Sequence, residues 1–154
     1  MNIDVNGIVS TPLQPAIVME IASTIPNLAV GGSSNTTIVF GSAIYDKNSD
    51  FNTSTGIFTA PVAGIYLVNL RFELANLDTD TTSYTFNILS TQRNYSSRFD
   101  PDYGDSDTLL YTVFISAQCN CSAGDTIRPQ FYVDGGAAQA DILAGGQFSV
   151  VKVT

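Results

Sequence analysis

An antiparallel β-sandwich is the fold class this sequence predicts, on three observations. Apolar residues recur at every second position over long stretches, no segment shows capped helical spacing, and turn residues interrupt the alternation at short intervals. The 154 residues suffice for one domain with a sizeable core, and a hydrophobic content of 44% argues against disorder. Only 13% of residues are charged, while Thr, Ser, Asn and Gly abound. A chain so poor in Lys and Glu lacks favoured helix formers.

Each strand follows from its own pattern. After Gly64 one face reads Tyr66, Val68, Leu70, Phe72 and Leu74, and the other Ile65, Leu67, Asn69, Arg71 and Glu73. Between 109 and 121 one face carries Leu109, Tyr111, Val113, Ile115, Ala117, Cys119 and Cys121. Its reverse carries Leu110, Thr112, Phe114, Ser116, Gln118 and Asn120. Shorter alternations are Tyr84-Phe86-Ile88, Ile127-Pro129-Phe131-Val133 and Phe148-Val150. Pro129 donates nothing to a ladder, so an edge or a bulge is expected there. Turns are expected at Gly31-Gly32-Ser33-Ser34, Asp78-Thr79-Asp80, Asp100-Pro101-Asp102, Ala123-Gly124-Asp125, Asp134-Gly135-Gly136 and Gly145-Gly146. With no helix to make crossovers, the strands must pair antiparallel in a sandwich or barrel. Residues 1–14 read as an extended arm, because Pro12 and Pro15 disfavour helix, and residues 15–154 as the single domain.

Composition also excludes function classes. The formal net charge is −8, and the six basic residues are scattered, which argues against nucleic acid and anionic membrane as partners. Histidine is absent, removing the residue on which most triads and zinc sites depend. Cys119 and Cys121 share one strand face, where a bridge would be badly strained, so both are expected as buried thiols. With neither a phosphate loop nor a nucleophile motif, no catalytic residues are assigned and no enzyme is expected. The start of the chain lacks the charge and apolar run of a signal peptide, so the sequons at Asn35, Asn52, Asn94 and Asn120 are read as chance.

One stretch is more specific. Phe40, Asp46, Phe51, Phe58, Gly64 and Tyr66 stand in that order with intervals of five, four, six, five and one residues. The text Asn52-Thr53-Ser54-Thr55-Gly56-Ile57-Phe58-Thr59-Ala60-Pro61-Val62-Ala63-Gly64-Ile65-Tyr66 lies within it, and Ala123-Gly124-Asp125 and Phe148-Ser149-Val150-Val151 follow downstream. This set resembles the signature of the complement C1q globular-head and tumour necrosis factor-like family, from about residue 15 to the C-terminus. Two aromatic positions of that signature hold Val68 and Leu70 instead, apolar and on the face of Tyr66. The resemblance implies a ten-strand-type jelly-roll sandwich that forms a homotrimer. It places Tyr66, Val68, Leu70 and Phe72 between the sheets, and Ile65, Leu67, Phe114, Val151 and Val153 on the opposite face as the trimer interface.

Asp100, Asp102, Asp105 and Asp107 surround Tyr103 and Gly104. Closely spaced carboxylates in such a loop offer oxygen ligands to calcium; a solvated acidic loop is the competing reading. The resemblance adds that some family members bind calcium there, although no cofactor is required. The lead-in Gly7-Ile8-Val9-Ser10-Thr11-Pro12-Leu13-Gln14-Pro15-Ala16 resembles that of such heads in bacteriophage structural proteins. The function expected is therefore a non-enzymatic trimeric protein of a virion surface, a capsid decoration or cement protein whose partner is the major capsid protein. The alternative is a receptor-binding or adhesion head of a tail fibre or bacterial surface, with an extracellular or cell-surface location.

Overall fold

The alternation in the sequence is realised as two stacked antiparallel sheets in a computed structural model. It describes residues 14–28, 35–78, 80–101, 110–136 and 140–153, with the backbone pairs 2–3 and 9–10. The strands are β1 (Asn2–Ile3), β2 (Val9–Ser10), β3 (Ala16–Glu20), β4 (Thr36–Thr37), β5 (Ser42–Asp46), β6 (Phe51–Asn52) and β7 (Ile57–Thr59). They continue with β8 (Gly64–Ala75), β9 (Thr81–Ser90), β10 (Asn94–Phe99), β11 (Leu110–Cys121), β12 (Thr126–Gly135), β13 (Asp141–Ile142) and β14 (Gln147–Lys152). One sheet runs β11-β8-β14-β3-β5, with β13 also on β8; the other runs β10-β9-β12-β7-β6, with β4 also on β12. Except for the consecutive pairs β9–β10 and β6–β7, neighbours on each path are separated in sequence by strands of the other sheet, which is the connectivity of a jelly roll, and the two five-strand paths supply the ten strands expected.

The core is the inner face of both sheets. Tyr66, Val68, Leu70, Phe72 and Leu74 of β8 are all fully buried, as are Tyr84 and Ile88 of β9 and Phe131 and Val133 of β12, with Phe86 nearly so. Aromatic pairs join the layers. Phe58 meets Tyr66 edge-on at 5.6 Å between centroids, and Phe72 meets Phe86 at 5.2 Å. Such contacts contribute about 0.5–1.5 kcal/mol each beyond area burial. Phe99 closes the β10–β11 side of the sandwich by stacking on Tyr111 at 4.0 Å. Cys119 and Cys121 are buried free thiols on the core face of β11, as their spacing predicts.

One expectation changes, and a second gains detail. Pro129 lies neither at an outer edge nor at a bulge. It sits within β12, opposite Ile88 of β9, and its carbonyl accepts the Ile38 N–H at 3.0 Å on the other side. That side is the seam where β7 stops at Ile127 and β4 begins at Gln130, so the missing N–H leaves no ladder position unfilled. Within residues 1–14, expected as one extended arm, Asn2 pairs with Ser10 and Ile3 with Val9 in a two-stranded ladder of their own. The turn at 31–34 and residue Leu109 lie outside the described residues.

Candidate interaction face

The outward face of the β8 sheet carries the residues picked out for assembly. Register defines successive rows across it. Asn120 stands beside Ile65; Gln118, Leu67, Val151 and Ala16 form the next row; Ser116, Asn69, Ser149, Val18 and Tyr45 the third; Phe114, Arg71, Gln147, Glu20 and Ser42 the fourth. Val153 joins the first row through its N–H to the Ile65 carbonyl, 2.8 Å. Four of the five predicted residues, Ile65, Leu67, Val151 and Val153, are thereby brought together. Phe114 is not with them. It lies two rows away, roughly 14 Å along the strand at ~3.4 Å per residue.

The face thus holds two apolar patches separated by a polar band. The first comprises Ile65, Leu67, Val151 and Val153, extended by Ala16, Val18 and Tyr45. The second follows the β11 edge, where Phe114 and Leu110, 64% and 61% exposed, stand on the same face on either side of Thr112. Asn69, Ser149 and Ser116 separate the patches, and Asn69 Nδ2 donates to Ser149 Oγ at 3.5 Å. The sequence reading missed Val18, Tyr45 and Leu110. Val18 was findable from the alternation of Ala16–Glu20. Tyr45 was not, because a bulge at Val18/Met19 inserts Ile44 into β5 and resets which of its residues share the face.

The six signature residues build the fold rather than this face. Phe40, Phe58 and Tyr66 are fully buried, and Phe51 nearly so. The Tyr66 hydroxyl donates to the Val62 carbonyl at 2.7 Å and ties β8 to the turn before it. Asp46 accepts the backbone N–H groups of Asp50 at 3.1 Å and Phe51 at 3.3 Å, which shapes the β5–β6 turn. Gly64 opens β8 at φ +156°, a value side-chain-bearing residues rarely adopt.

Chemistry elsewhere is sparse. An open groove of about 600 Å³ at the β10–β11 side is lined by Gln92, Arg93, Tyr95, Gln118, Asn120, Cys121 and Ser122. Burial pushes the neighbouring Cys119 thiol up to about 11, reinforced by Cys121. Burial and then the charge of Asp125 raise Cys121 as well. Both are protonated near neutral pH, the opposite of an activated nucleophile. Asp125 itself is held below the ordinary carboxylate range, first by the Ser122 N–H at 2.8 Å and then by the Gln92 amide at 3.1 Å. Of the acidic set, Asp100 is exposed just after β10, while Asp102, Asp105 and Asp107 lie outside the described residues. Among the described residues no cluster of His, Cys, Asp or Glu is fit to hold a metal.

Comparison with known proteins agrees with this architecture. The chain is similar to the globular domain of zebrafish complement 1qA protein, at 19% identity over 92% of this chain and 98% of that one, with a TM-score of 0.65. It is also similar to Eiger TNF from S. frugiperda, at 14% identity over 92% and 93%, with a TM-score of 0.63. At such identities the likeness is one of fold. No curated protein matches the sequence. The model of the C1q domain matches residues 23–112, more than half the chain and the segment that holds all six signature residues. The chain belongs to the C1q domain family.

Proposed function

We propose that this protein is a non-enzymatic assembly head that closes into a homotrimer through the outward face of the β8 sheet. The supporting observation is the division of that face into two apolar patches of different composition. A three-fold ring uses heterologous contacts, in which each copy offers one surface to its left neighbour and a different one to its right. The Leu67–Val151 patch and the Phe114–Leu110 edge supply the two surfaces. Burying them at roughly 25 cal/mol per Å² drives association, while the Asn69 and Ser149 band sets the register. Light scattering tests the reading: the expected mass is three times 16.4 kDa. Leu67→Asp and Phe114→Asp should each give monomers, and mixing the two variants should restore a single interface and hence a heterodimer. A monomeric wild-type chain at micromolar concentration overturns it.

The place of this trimer is, in our reading, the surface of a bacteriophage capsid, as a decoration protein on the major capsid protein. Its support is the lead-in Gly7 to Ala16, with the segment 1–14 as the docking element. Electron microscopy of virions with and without the protein decides between capsid decoration and an adhesion head on a tail.

A further inference from the structure

The outward face of the β9 sheet differs from that of the β8 sheet in kind. Register places nine side chains on a three-by-three lattice: Asn94, Ser96 and Arg98 of β10, Leu89, Asn87 and Thr85 of β9, and Arg128, Gln130 and Tyr132 of β12. The residues between them, Ile88, Phe86, Tyr84, Phe131 and Val133, point into the core. Six of the nine are neutral hydrogen-bonding side chains, two are guanidiniums, and one is aliphatic. None is a carboxylate, on a chain whose net charge is −8.

The floor of this lattice is polar yet withdrawn from water. Asn87 is 4% exposed, Thr85 8% and Gln130 9%. Buried amides and hydroxyls persist where hydrogen bonds satisfy them. Here that happens only in part. Ser96 Oγ donates to Asn87 Oδ1 at 2.6 Å, which leaves the two N–H groups of that amide as donors. Arg98 Nε donates to Thr85 Oγ1 at 3.1 Å, which holds its guanidinium over the lattice. Arg128 Nε is buried and has no hydrogen-bond partner. Arg98 and Arg128 occupy opposite corners, and Asn87 stands at the centre between them.

The geometry points to a binding site for an acidic oligosaccharide, with Asn87 and Gln130 pairing to ring hydroxyls and Arg98 and Arg128 each to a carboxylate on a different sugar residue. Amide side chains match vicinal hydroxyls as combined donors and acceptors. A guanidinium holds a carboxylate through two parallel N–H bonds, and the half-buried Tyr132 ring offers an apolar surface to the C–H face of a pyranose. The site lies on the opposite side of the sandwich from the assembly face, so three copies would present three such sites outward.

The test uses the full chain labelled with ¹⁵N, titrated with the tetramer of galacturonic acid, with maltotetraose as the neutral match and inorganic phosphate as a competitor. Saturable shifts confined to β9, β10 and β12 are expected, with maltotetraose at least about tenfold weaker. Arg98→Gln, at an exposed corner, and the double variant with Arg128→Gln should weaken binding by about tenfold or more, with unchanged melting temperature. Arg93→Gln, off the lattice, should bind as the parent does. Repeating the titration on Leu67→Asp separates this site from assembly, because binding should survive in a monomer. Absence of saturable binding, shifts lying elsewhere, equal binding of maltotetraose, or full binding by the double variant would each overturn the assignment. Equal displacement by phosphate at matched concentration would reduce the face to a general anion site and overturn it too.

Discussion

Phe72 and Phe114 stand on neighbouring strands of one sheet, one fully buried between the layers and one 64% exposed on the outer face. Phe72→Ala should cost about 3–5 kcal/mol of folding stability through lost burial and a cavity, read from urea unfolding. Phe114→Ala should change monomer stability by less than ~0.5 kcal/mol yet weaken association, read as a concentration-dependent mass. The thiols give a pH prediction. In the folded chain Cys119 ionises near 11, against an ordinary 9.0, because burial penalises the thiolate. Cys121 and Tyr95 are raised too, burial being the largest cause for both. Below about pH 9 the thiol is neutral folded or unfolded, so its contribution is full; above it only the unfolded chain ionises. Urea midpoints should therefore hold level to about pH 9 and fall as the pH rises towards about 11. A Cys119→Ala chain should lose part of that fall.

The turn that joins β6 to β7 shows how an element is specified by few atoms. Asn52 Oδ1 accepts the N–H groups of Ser54 at 2.9 Å and Thr55 at 3.1 Å, and the Asn52 carbonyl accepts that of Gly56 at 2.9 Å. Gly56 then turns the chain at φ +71°, where an added Cβ would stand 2.9 Å from the Ile38 carbonyl oxygen. Gly56→Ala should destabilise by more than ~1 kcal/mol, from both the backbone conformation and the contact, visible as a lower melting temperature. The preceding turn rests on Asp46, whose carboxylate accepts two main-chain N–H groups. Asp46→Ala should cost about 1–2 kcal/mol, because it leaves part-buried donors unpaired.

At the scale of the whole molecule the two sheets present unlike outer surfaces, one with apolar patches and one with a lattice of amides, hydroxyls and guanidiniums. In the proposed trimer the melting temperature should rise with protein concentration, since only the folded chain associates. Leu67→Asp should abolish that dependence, whereas Asn69→Asp, in the polar band, should diminish it. Deleting residues 2–13 should leave the trimer and its melting temperature little changed, because β1 and β2 pair with each other in a sheet separate from the sandwich. Under the capsid reading the same deletion should abolish binding to capsids stripped of this protein; full occupancy by the truncated trimer would move docking onto the head.

The sandwich was legible along the chain because sheet side chains alternate with a period of two, and β8 and β11 keep that period over twelve residues each. Burial of the two cysteines was legible for the same reason, and the family through the fixed intervals from Phe40 to Tyr66. Alternation says which residues share a face, but not which strands lie side by side. Only strand pairing could show that Leu67 meets Val151 and Val151 meets Ala16 while Phe114 stands apart, or that Pro129 fills the seam between β7 and β4. The lattice around Asn87 was equally hidden, since its nine residues come from three strands whose register is set by the packing of the core beneath them.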